Sequence, residues 1–334
     1  MRQRLIFVYF LAFTSVATIN AQVIDIPDPL FLQGLIDNDV DDNSDGLIQI
    51  AEAESTRSLD LFGRDITDVS GIENFVNLDL LDLGDNDLTT IDVSNNLELE
   101  FLNVSLNELR EINIDINTKL EWLDVSINNL SEIDVRNNIN LVKLFASNNF
   151  FSEIDIRQNV NLKELDLSVN GFNALDVSKN SVLENIDAAF NDLSELDIDN
   201  NLLLRELKLH HNNIVYIDFL NNTSLEVIFV MSNNLTNLDL SNNRALILFM
   251  CDGNPLTYLN LKNGVEEFGG IDFTGCPQLS HICCDREDFD FVREVIISEN
   301  YNCEYNTYCS VNPGGVTYSV SGTFVFGFDG GIVV

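Results

Sequence analysis

The sequence predicts a β-dominated solenoid of the α/β type, in which short coils of chain stack along one axis. Leucine returns every 21 residues from Leu78 to Leu246, which gives nine coils in one register. When this leucine is counted as position 0, position 3 of every coil is Leu, Ile or Phe and position 8 is Asn. A fixed period of this length indicates repeats that stack and share one continuous core. The 334-residue chain, 45% apolar, has enough hydrophobic surface for such a core.

The apolar residues at positions 3 and 5 predict one short strand in each coil. Side chains alternate along a strand, so positions 3 and 5 should point inward. Positions 2, 4, 6 and 7 should then project onto the outer, concave face of the sheet. Around these strands the coil begins Leu-x-x-Leu-x-Leu-x-x-Asn, which is the leucine-rich-repeat signature.

Two asparagine positions predict how the coils turn. Position 8 is Asn in all nine coils, and position 18 is Asn in eight of them. A buried amide both donates and accepts hydrogen bonds, so stacked asparagines can satisfy the main chain of adjacent coils. Position 14 is Asp in seven coils. There we expect a solvated face with local hydrogen bonds to turns rather than a ladder of cation sites.

The solenoid should extend over residues 58–284. An irregular coil containing Leu59, Leu61 and Ile66 precedes the nine regular ones, and the register continues once more through Phe268 and Ile271. We therefore predict ten to twelve coils. At about 4.8 Å per coil, the nine regular coils would be roughly 40 Å long.

The first 21 residues have the composition of a secretory signal peptide. Arg2 and Arg4 precede an apolar run at 5–13, and small and polar residues follow up to Ala21. The run is far shorter than the roughly 20 residues needed to span a bilayer, and no later stretch is long enough either. We expect no membrane span and a secreted, extracellular chain that begins near Gln22.

Residues 22–57 should form an N-terminal cap built around a calcium loop. The sequence DDNSDGLIQIAE at 41–52 fits the ligand spacing of an EF-hand, in which a glycine permits the sharp turn. The alternative is a solvated acidic loop. The expected calcium ligands are Asp41, Asn43, Asp45, the carbonyl of Leu47, Gln49 (directly or through water) and Glu52.

Residues 285–311 should form a C-terminal cap that contains cysteines. Five of the six cysteines, at 276, 283, 284, 303 and 309, fall within 34 residues. In an exported protein this clustering favours disulfides over a zinc site, whose paired spacing is missing. The spacing leaves the connectivity open. The acidic segment 285–300 places Phe289, Val292, Val295 and Ile296 on one helical face, which should cover the open end of the core.

Large apolar and aromatic groups occupy positions that should face solvent on the concave side. Adjacent coils would bring these groups within a few ångströms of one another, which favours a binding patch over scattered exposure. The only tryptophan is the best single anchor. The candidate ligand-binding residues are Phe101, Trp122, Phe145, Phe190, His210, Phe229, Met231 and Met250.

The charge balance excludes several partners. With 54 acidic and 17 basic residues, the net charge is −37, and such a surface repels nucleic acid and anionic lipid head groups. None of the three histidines is spaced to activate a nucleophile, and the variable positions are mainly apolar or carboxylate. An enzyme is therefore the least favoured interpretation.

The chain resembles the internalin-like leucine-rich-repeat proteins that Gram-negative bacteria place on their surface, often through the type IX secretion system. The resemblance depends on IPDP at 26–29, DGLI at 45–48, ITDVSGIENF at 66–75 and YCSVNPGG at 308–315. It implies a secreted or surface-attached binding protein, usually an adhesin, that recognises a protein or glycan at a cell surface.

One departure from that family concerns the end of the chain. Such proteins usually continue into β-sandwich modules, whereas residues 312–334 resemble only the start of one and are too few to close it. We therefore expect a truncated product. Two further alternatives are a structural spacer that presents a missing C-terminal module, and an enzyme inhibitor or carbohydrate binder that uses the aromatic residues for stacking.

Overall fold

The computed structural model describes residues 22–265 and 270–309, together with the backbone of two short strands near the C-terminus. The predicted signal peptide, Phe268 of the predicted register and most of the predicted module at 312–334 lie outside these residues. Within them the predicted solenoid of 21-residue coils is confirmed.

Short strands separated by turns make up most of the chain. The helices are α1 Pro29–Asp37, α2 Ile50–Ser55 and α3 Phe289–Ser298, with a single 3-10 turn at Ile72–Asn74. The strands are β1 Ser58–Asp60, β2 Leu80–Asp82, β3 Phe101–Asn103, β4 Trp122–Asp124, β5 Lys143–Phe145, β6 Glu164–Asp166, β7 Asn185–Asp187, β8 Glu206–Lys208, β9 Val227–Phe229, β10 Asn237–Asp239, β11 Leu248–Met250, β12 Tyr258–Asn260, β13 Ile271–Asp272, β14 His281–Cys283, β15 Glu304–Asn306, β16 Val325–Phe326 and β17 Ile332–Val333.

The main sheet contains eleven parallel strands in the order β1 to β9, β11 and β13. Neighbouring regular coils pair in 21-residue register, so that Phe101 lies opposite Trp122 and Leu102 opposite Leu123. The first and last pairs of the sheet, β1 with β2 and β11 with β13, are offset by 22 residues. The middle residue of each regular strand, at position 3, is buried, and its two neighbours are mostly half-buried. This is the alternation that the sequence predicts.

A second sheet lies on the opposite, convex side of the last coils. It contains four strands in the order β10-β12-β14-β15. β10 and β12 occupy positions 12–14 of the eighth and ninth regular coils, with Leu238 opposite Leu259. The sequence does not distinguish these coils from the earlier ones, whose corresponding segments are turns and extended chain. A small antiparallel pair, β16 and β17, stands apart near the C-terminus.

Buried asparagines join each coil to the one before it, as predicted. Nδ2 of Asn128 at position 8 donates to the carbonyls of Val104 (2.8 Å) and Val125 (3.1 Å), while its Oδ1 accepts from the N–H of Leu109 at 2.9 Å. At position 18, Nδ2 of Asn138 donates to two carbonyls of the preceding coil. These bonds replace water at both turns, which allows the coils to stack without solvent between them.

Position 7 adopts a left-handed backbone in every regular coil. Its φ lies between 53° and 56° in the eight coils with a side chain there, and Gly253 takes the place in the ninth. The branched residues Ile127 and Val169 are unfavourable in this region because their Cβ substituents crowd the backbone. The inter-coil hydrogen bond from Ile127 N–H to the Ser147 carbonyl (2.8 Å) helps to hold this conformation in place.

The ends of the solenoid are covered differently. At the N-terminal end, Asp28 caps α1 through the N–H of Leu30 (2.8 Å), and its second oxygen accepts from the N–H of Thr67 (2.8 Å). At the C-terminal end, α3 buries Val292 and Ile296. There a disulfide joins Cys283 to Cys309. The described cysteines outside this bond are those at 251, 276, 284 and 303.

Candidate binding face and calcium loop

The strands of the main sheet arrange the predicted binding residues on the concave side. Phe101 and Trp122 are at position 2 of their coils, and Phe145, Phe229 and Met250 are at position 4, all half-buried. The strand pairing places each of them directly beside the corresponding residue of the next coil.

The three other candidates lie just beyond the strand ends. His210 and Met231 are half-buried at position 6, whereas Phe190 occupies the left-handed position 7 and is 47% exposed. The structure thus divides the eight candidates between the sheet face and its rim.

Phe101, Trp122 and Phe145 form one group, here called the aromatic cluster. The rings of Phe101 and Trp122 are stacked with centroids 4.0 Å apart, and the Phe145 ring lies 5.6 Å from Trp122 at a tilt of 56°. Aromatic pairs in such arrangements attract one another beyond their burial. The cluster is a preformed apolar surface that a ligand can cover without reordering the rings.

A second group, the histidine cluster, consists of Phe190, His210, His211 and Phe229. The rings of Phe190 and His211 are stacked at 4.4 Å, and His210 lies 5.1 Å from Phe190 and 6.3 Å from Phe229. Burial lowers the pKa of His210, and the nearby His211 and Lys208 lower it further. His210 therefore favours the neutral form, which suits contact with apolar groups.

Met231 and Met250 extend the apolar surface beyond the histidine cluster. The backbone N–H of His211 donates to the carbonyl of Met231, and Met250 pairs with Phe229 in the sheet. Flexible thioether side chains adapt well to irregular partner surfaces. The structure thus continues the histidine cluster into the ninth coil.

A row of carboxylates at position 4 runs beside the aromatic rings. Burial raises the pKa of Asp82, Asp124 and Asp187, and like charges along the row raise it further; for Asp124 these come from Asp166 and Asp82. Each carboxylate also caps its own turn, as Asp124 does by accepting from the N–H of Ser126 at 2.8 Å. Apolar rings beside crowded carboxylates suit a partner that brings hydrophobic side chains and positive charge together.

Sequence reasoning did not include this acidic row among the binding residues. The signal was present, because position 4 is Asp in four of the first six coils. At position 14, by contrast, the prediction of local turn bonds is confirmed: Asp92 accepts from the N–H of Ser94 (2.9 Å) and Asp176 from that of Ser178 (3.0 Å).

Five of the six predicted calcium ligands lie between α1 and α2, and the sixth, Glu52, lies in the first turn of α2. Nδ2 of Asn43 donates to Gln49 Oε1 (2.7 Å) and Glu52 Oε1 (3.2 Å), and Nε2 of Gln49 lies 3.2 Å from Asp45 Oδ2. Asp41 accepts from the N–H of Gly46 at 2.8 Å, and Gly46 has the positive φ of a sharp turn. Hydrogen bonds therefore join four of the predicted side-chain ligands, Asn43, Asp45, Gln49 and Glu52, to one another.

The chemistry of this donor set fits calcium. Among residues 22–265 and 270–309, no three Asp, Glu, His or Cys side chains are placed to hold a metal ion by themselves. An ion in the loop would thus need the amide oxygens of Asn43 and Gln49 and the carbonyl of Leu47 as well. Mixed carboxylate, amide and carbonyl oxygens are what calcium prefers.

Comparison with known proteins identifies the type of solenoid. No protein-family model and no curated protein matches the sequence. The functional domain of InlJ from Listeria monocytogenes is similar over 70% of this chain and 57% of that domain, with 31% identity and a TM-score of 0.65. The fold is a leucine-rich-repeat solenoid. Because it covers 57% of the InlJ domain, this chain spans little more than half of that domain's length.

Two further leucine-rich-repeat structures show the same fold. A leucine-rich-repeat protein of Leptospira interrogans is 20% identical over 77% of this chain and 74% of that chain, with a TM-score of 0.63. One chain of the LRIM1/APL1C complex is 17% identical over 77% of this chain and 57% of that chain, with a TM-score of 0.54. No helix in the described parts of this leucine-rich-repeat chain combines the length and apolarity needed to cross a bilayer.

Proposed function

We propose that this chain is a secreted or cell-surface leucine-rich-repeat binding protein that recognises a protein or glycan in the manner of an adhesin. The observation that carries the proposal is the aromatic cluster, which is already stacked on the open concave face. Rigid aromatic side chains at the centre of a contact commonly supply most of its binding energy. Export would follow from the predicted signal peptide, with type IX secretion as the route that the family resemblance suggests.

The arrangement of the whole concave face supports a macromolecular partner. The aromatic cluster occupies coils 2–4, the histidine cluster occupies coils 6–8, and charged side chains such as Lys143 and Glu164 (2.9 Å apart) lie between them. At about 4.8 Å per coil the two clusters together span roughly 29 Å from coil 2 to coil 8, which exceeds the length of a small molecule. Among the similar folds, the LRIM1/APL1C structure is itself a complex with a second protein.

We further propose that calcium orders the N-terminal cap. The final part of the loop pairs with the first described residues: the N–H of Ile24 donates to the Ile48 carbonyl at 2.8 Å, and that of Ile50 to the Gln22 carbonyl at 3.0 Å. An ion held by Asp41, Asn43, Asp45, Leu47, Gln49 and Glu52 would therefore stabilise the segment that closes the first coil. When bound, calcium would supply charge compensation for the loop and no catalytic chemistry.

The test of the binding proposal uses the exported chain, from residue 22 onward, in the presence of calcium. It is presented to arrays of glycans and of cell-surface proteins alongside Trp122→Ala and a matched control, Tyr216→Ala. Tyr216 is an aromatic residue, 66% exposed, at position 12, away from the concave strands. We expect a ligand that is lost in Trp122→Ala and retained in Tyr216→Ala.

Two outcomes contradict the proposal. No ligand from a well-folded sample would favour the spacer alternative, in which the solenoid only presents another module. Equal loss of binding in both variants would show that the contact lies elsewhere. A ligand from only one array would assign the partner as a protein or a glycan.

A further inference from the structure

A long groove crosses the convex side of the first four regular coils. Its volume is about 970 Å³, and residues from positions 12 to 17 of successive coils line it. This convex groove faces away from the concave candidates, so neither the aromatic cluster nor the histidine cluster contributes to it.

The floor of the convex groove is a column of aliphatic side chains at position 13. Ile91, Ile112, Ile133 and Ile154 are all half-buried, although each packs against the core. In coils 6 to 9 the same position is buried: Leu196 and Ile217 are 5% exposed, Leu238 is 2% exposed and Leu259 is 0% exposed. Leu238 and Leu259 are themselves the middle residues of the convex strands β10 and β12. The first four coils thus keep an apolar column open that the last coils close.

Acidic side chains stand on both sides of this floor. Glu111, Glu132 and Glu153 at position 12 are exposed, and none of them belongs to an ion pair among the described residues. On the other side, Asp134 and Asp155 at position 14 are already paired with Arg136 and Arg157 at position 16, the second pair at 2.8 Å. The position 12 row therefore carries unpaired negative charge through three successive coils, whereas two of the aspartates opposite it are already paired.

The spacing of the floor favours a helix over a strand as the occupant. Four coils at about 4.8 Å span roughly 14 Å between the first and last isoleucine. Three helical turns of about 5.4 Å cover roughly 16 Å. Apolar residues one turn apart on a helix would therefore stay within about 2 Å of the isoleucines that they face. Residues on one face of a strand repeat at about 6.7 Å, so three repeats exceed the length of the isoleucine column by nearly 6 Å. A helix-in-groove contact matches both the apolar floor and its length.

We propose that the convex groove docks an amphipathic, basic helix of a partner protein. The apolar stripe of the helix would cover the isoleucine column, and lysine or arginine residues on one flank would pair with Glu111, Glu132 and Glu153. This contact is separate from the concave face, and the two surfaces would allow the chain to join two partners.

The experiment uses a fluorescein-labelled synthetic helix of about 15 residues with leucine on one face and lysine and arginine on its flanks. Its binding to the exported chain is followed by fluorescence anisotropy. We expect saturable binding that weakens with added salt, and a loss of about tenfold in affinity when Glu111, Glu132 and Glu153 are all replaced by Lys. The same peptide with two central residues replaced by proline should bind the unmodified chain at least as poorly as the helix binds that triple variant.

The matched control is Glu195→Lys, which reverses a charge in the same position 12 row beyond the convex groove, where the adjacent Leu196 is 5% exposed. We expect it to bind the peptide as the unmodified chain does, and so should Trp122→Ala. Equal weakening in Glu195→Lys would reduce the contact to general attraction by an acidic surface and overturn the proposal. Failure of the helical peptide to bind, or equal binding of the proline peptide, would do the same.

Discussion

The indole of Trp122 lies nearly parallel to the ring of Phe101, with centroids 4.0 Å apart and planes inclined by 10°. The two residues occupy position 2 of adjacent coils, so sheet pairing holds them in contact. Leu123, next in the chain, is fully buried. We expect Trp122→Ala to lower the free energy of unfolding by about 1–2 kcal/mol, since the side chain is only half-buried. Leu123→Ala should cost about 3 kcal/mol or more. Urea denaturation of both variants makes the comparison, and a larger loss for Trp122→Ala would show that the ring belongs to the core.

The acidic row on the concave face should respond to the removal of one charge. Burial and neighbouring carboxylates raise the pKa of Asp124, so its ionised form opposes folding. This unfavourable contribution appears as pH rises through the folded pKa and is absent below the unfolded value of 3.8. Asp124→Asn keeps the turn bond, as Asn103 does in the preceding coil with the N–H of Ser105 at 2.9 Å. We expect its melting temperature at pH 7 to rise by about 1–3 °C.

The control for that substitution is Asp92→Asn, because hydrogen bonds from Ser94 lower the pKa of Asp92. There the carboxylate should favour folding, so the change should lower the melting temperature at pH 7. The difference between the two variants should shrink as the pH falls below 4. A stability gain for Asp124→Asn that persists at low pH would mean that charge is not its cause.

The buried asparagine at position 18 should be worth more than an exposed one. Nδ2 of Asn138 satisfies the carbonyls of Ile114 (3.0 Å) and Asn117 (2.9 Å) where water cannot reach. Asn138→Ala removes both side-chain bonds and leaves these carbonyls with only the backbone N–H groups of Asn117 (3.0 Å) and Leu120 (3.2 Å), so we expect a loss of about 2 kcal/mol in urea denaturation. Asn140→Ala removes a single, exposed bond to Thr118 and should cost less than about 1 kcal/mol. Similar losses for the two would contradict the structural role assigned to the buried column.

The left-handed position 7 predicts a stabilising substitution. Ile127 has a φ of 55° and is 42% exposed, so it has an unfavourable backbone and little burial to lose. Asn148 occupies the same position one coil later with a φ of 53°. Asparagine tolerates this region far better than a branched residue, so Ile127→Asn should raise stability by about 1 kcal/mol. Calorimetry checks it, with Ile114→Asn as the opposite case: Ile114 is buried, and the same change there should be strongly destabilising.

The stabilising effect of calcium should depend on Glu52 and not on Glu54. Adding calcium to chelator-treated protein is expected to raise the melting temperature and to protect residues 22–57 from proteolysis. Glu52→Gln should abolish both effects, because an amide replaces the carboxylate that closes the EF-hand pattern. Glu54→Gln, on the exposed side of α2, should leave them intact. No response to calcium in the unmodified chain would rule out the site.

Much of the fold followed from residue periodicity, because each coil repeats the same inward side chains and the same asparagines. The convex sheet did not follow, since Leu238 in a strand and Leu175 in extended chain belong to the same sequence pattern. Nor did the left-handed turn: position 7 includes Ile127 and Val169, residues that local preference places elsewhere, and stacking between coils overrides that preference.

For the binding face, the sequence correctly placed Trp122 beside Phe101, since a shared position in adjacent coils leaves no other arrangement. It could not show that Asp124 is crowded by other carboxylates, because burial arises only from packing. The convex groove could not be predicted from the sequence for the same reason. Its isoleucines have the composition of a core column, and only the structure shows how much of them remains open.

The disulfide at the C-terminal end of the solenoid should make the two ends resist a pulling force differently. Force applied beyond Cys309 passes through the disulfide to Cys283 in β14, while the other end is held only by contacts such as those of Asp28. Each coil contacts mainly its two neighbours, so under force the coils would unfold one at a time from the amino end. Every 21-residue coil released would add about 70 Å of slack. A stack roughly 50 Å long could in this way become an extensible tether whose last turn stays closed.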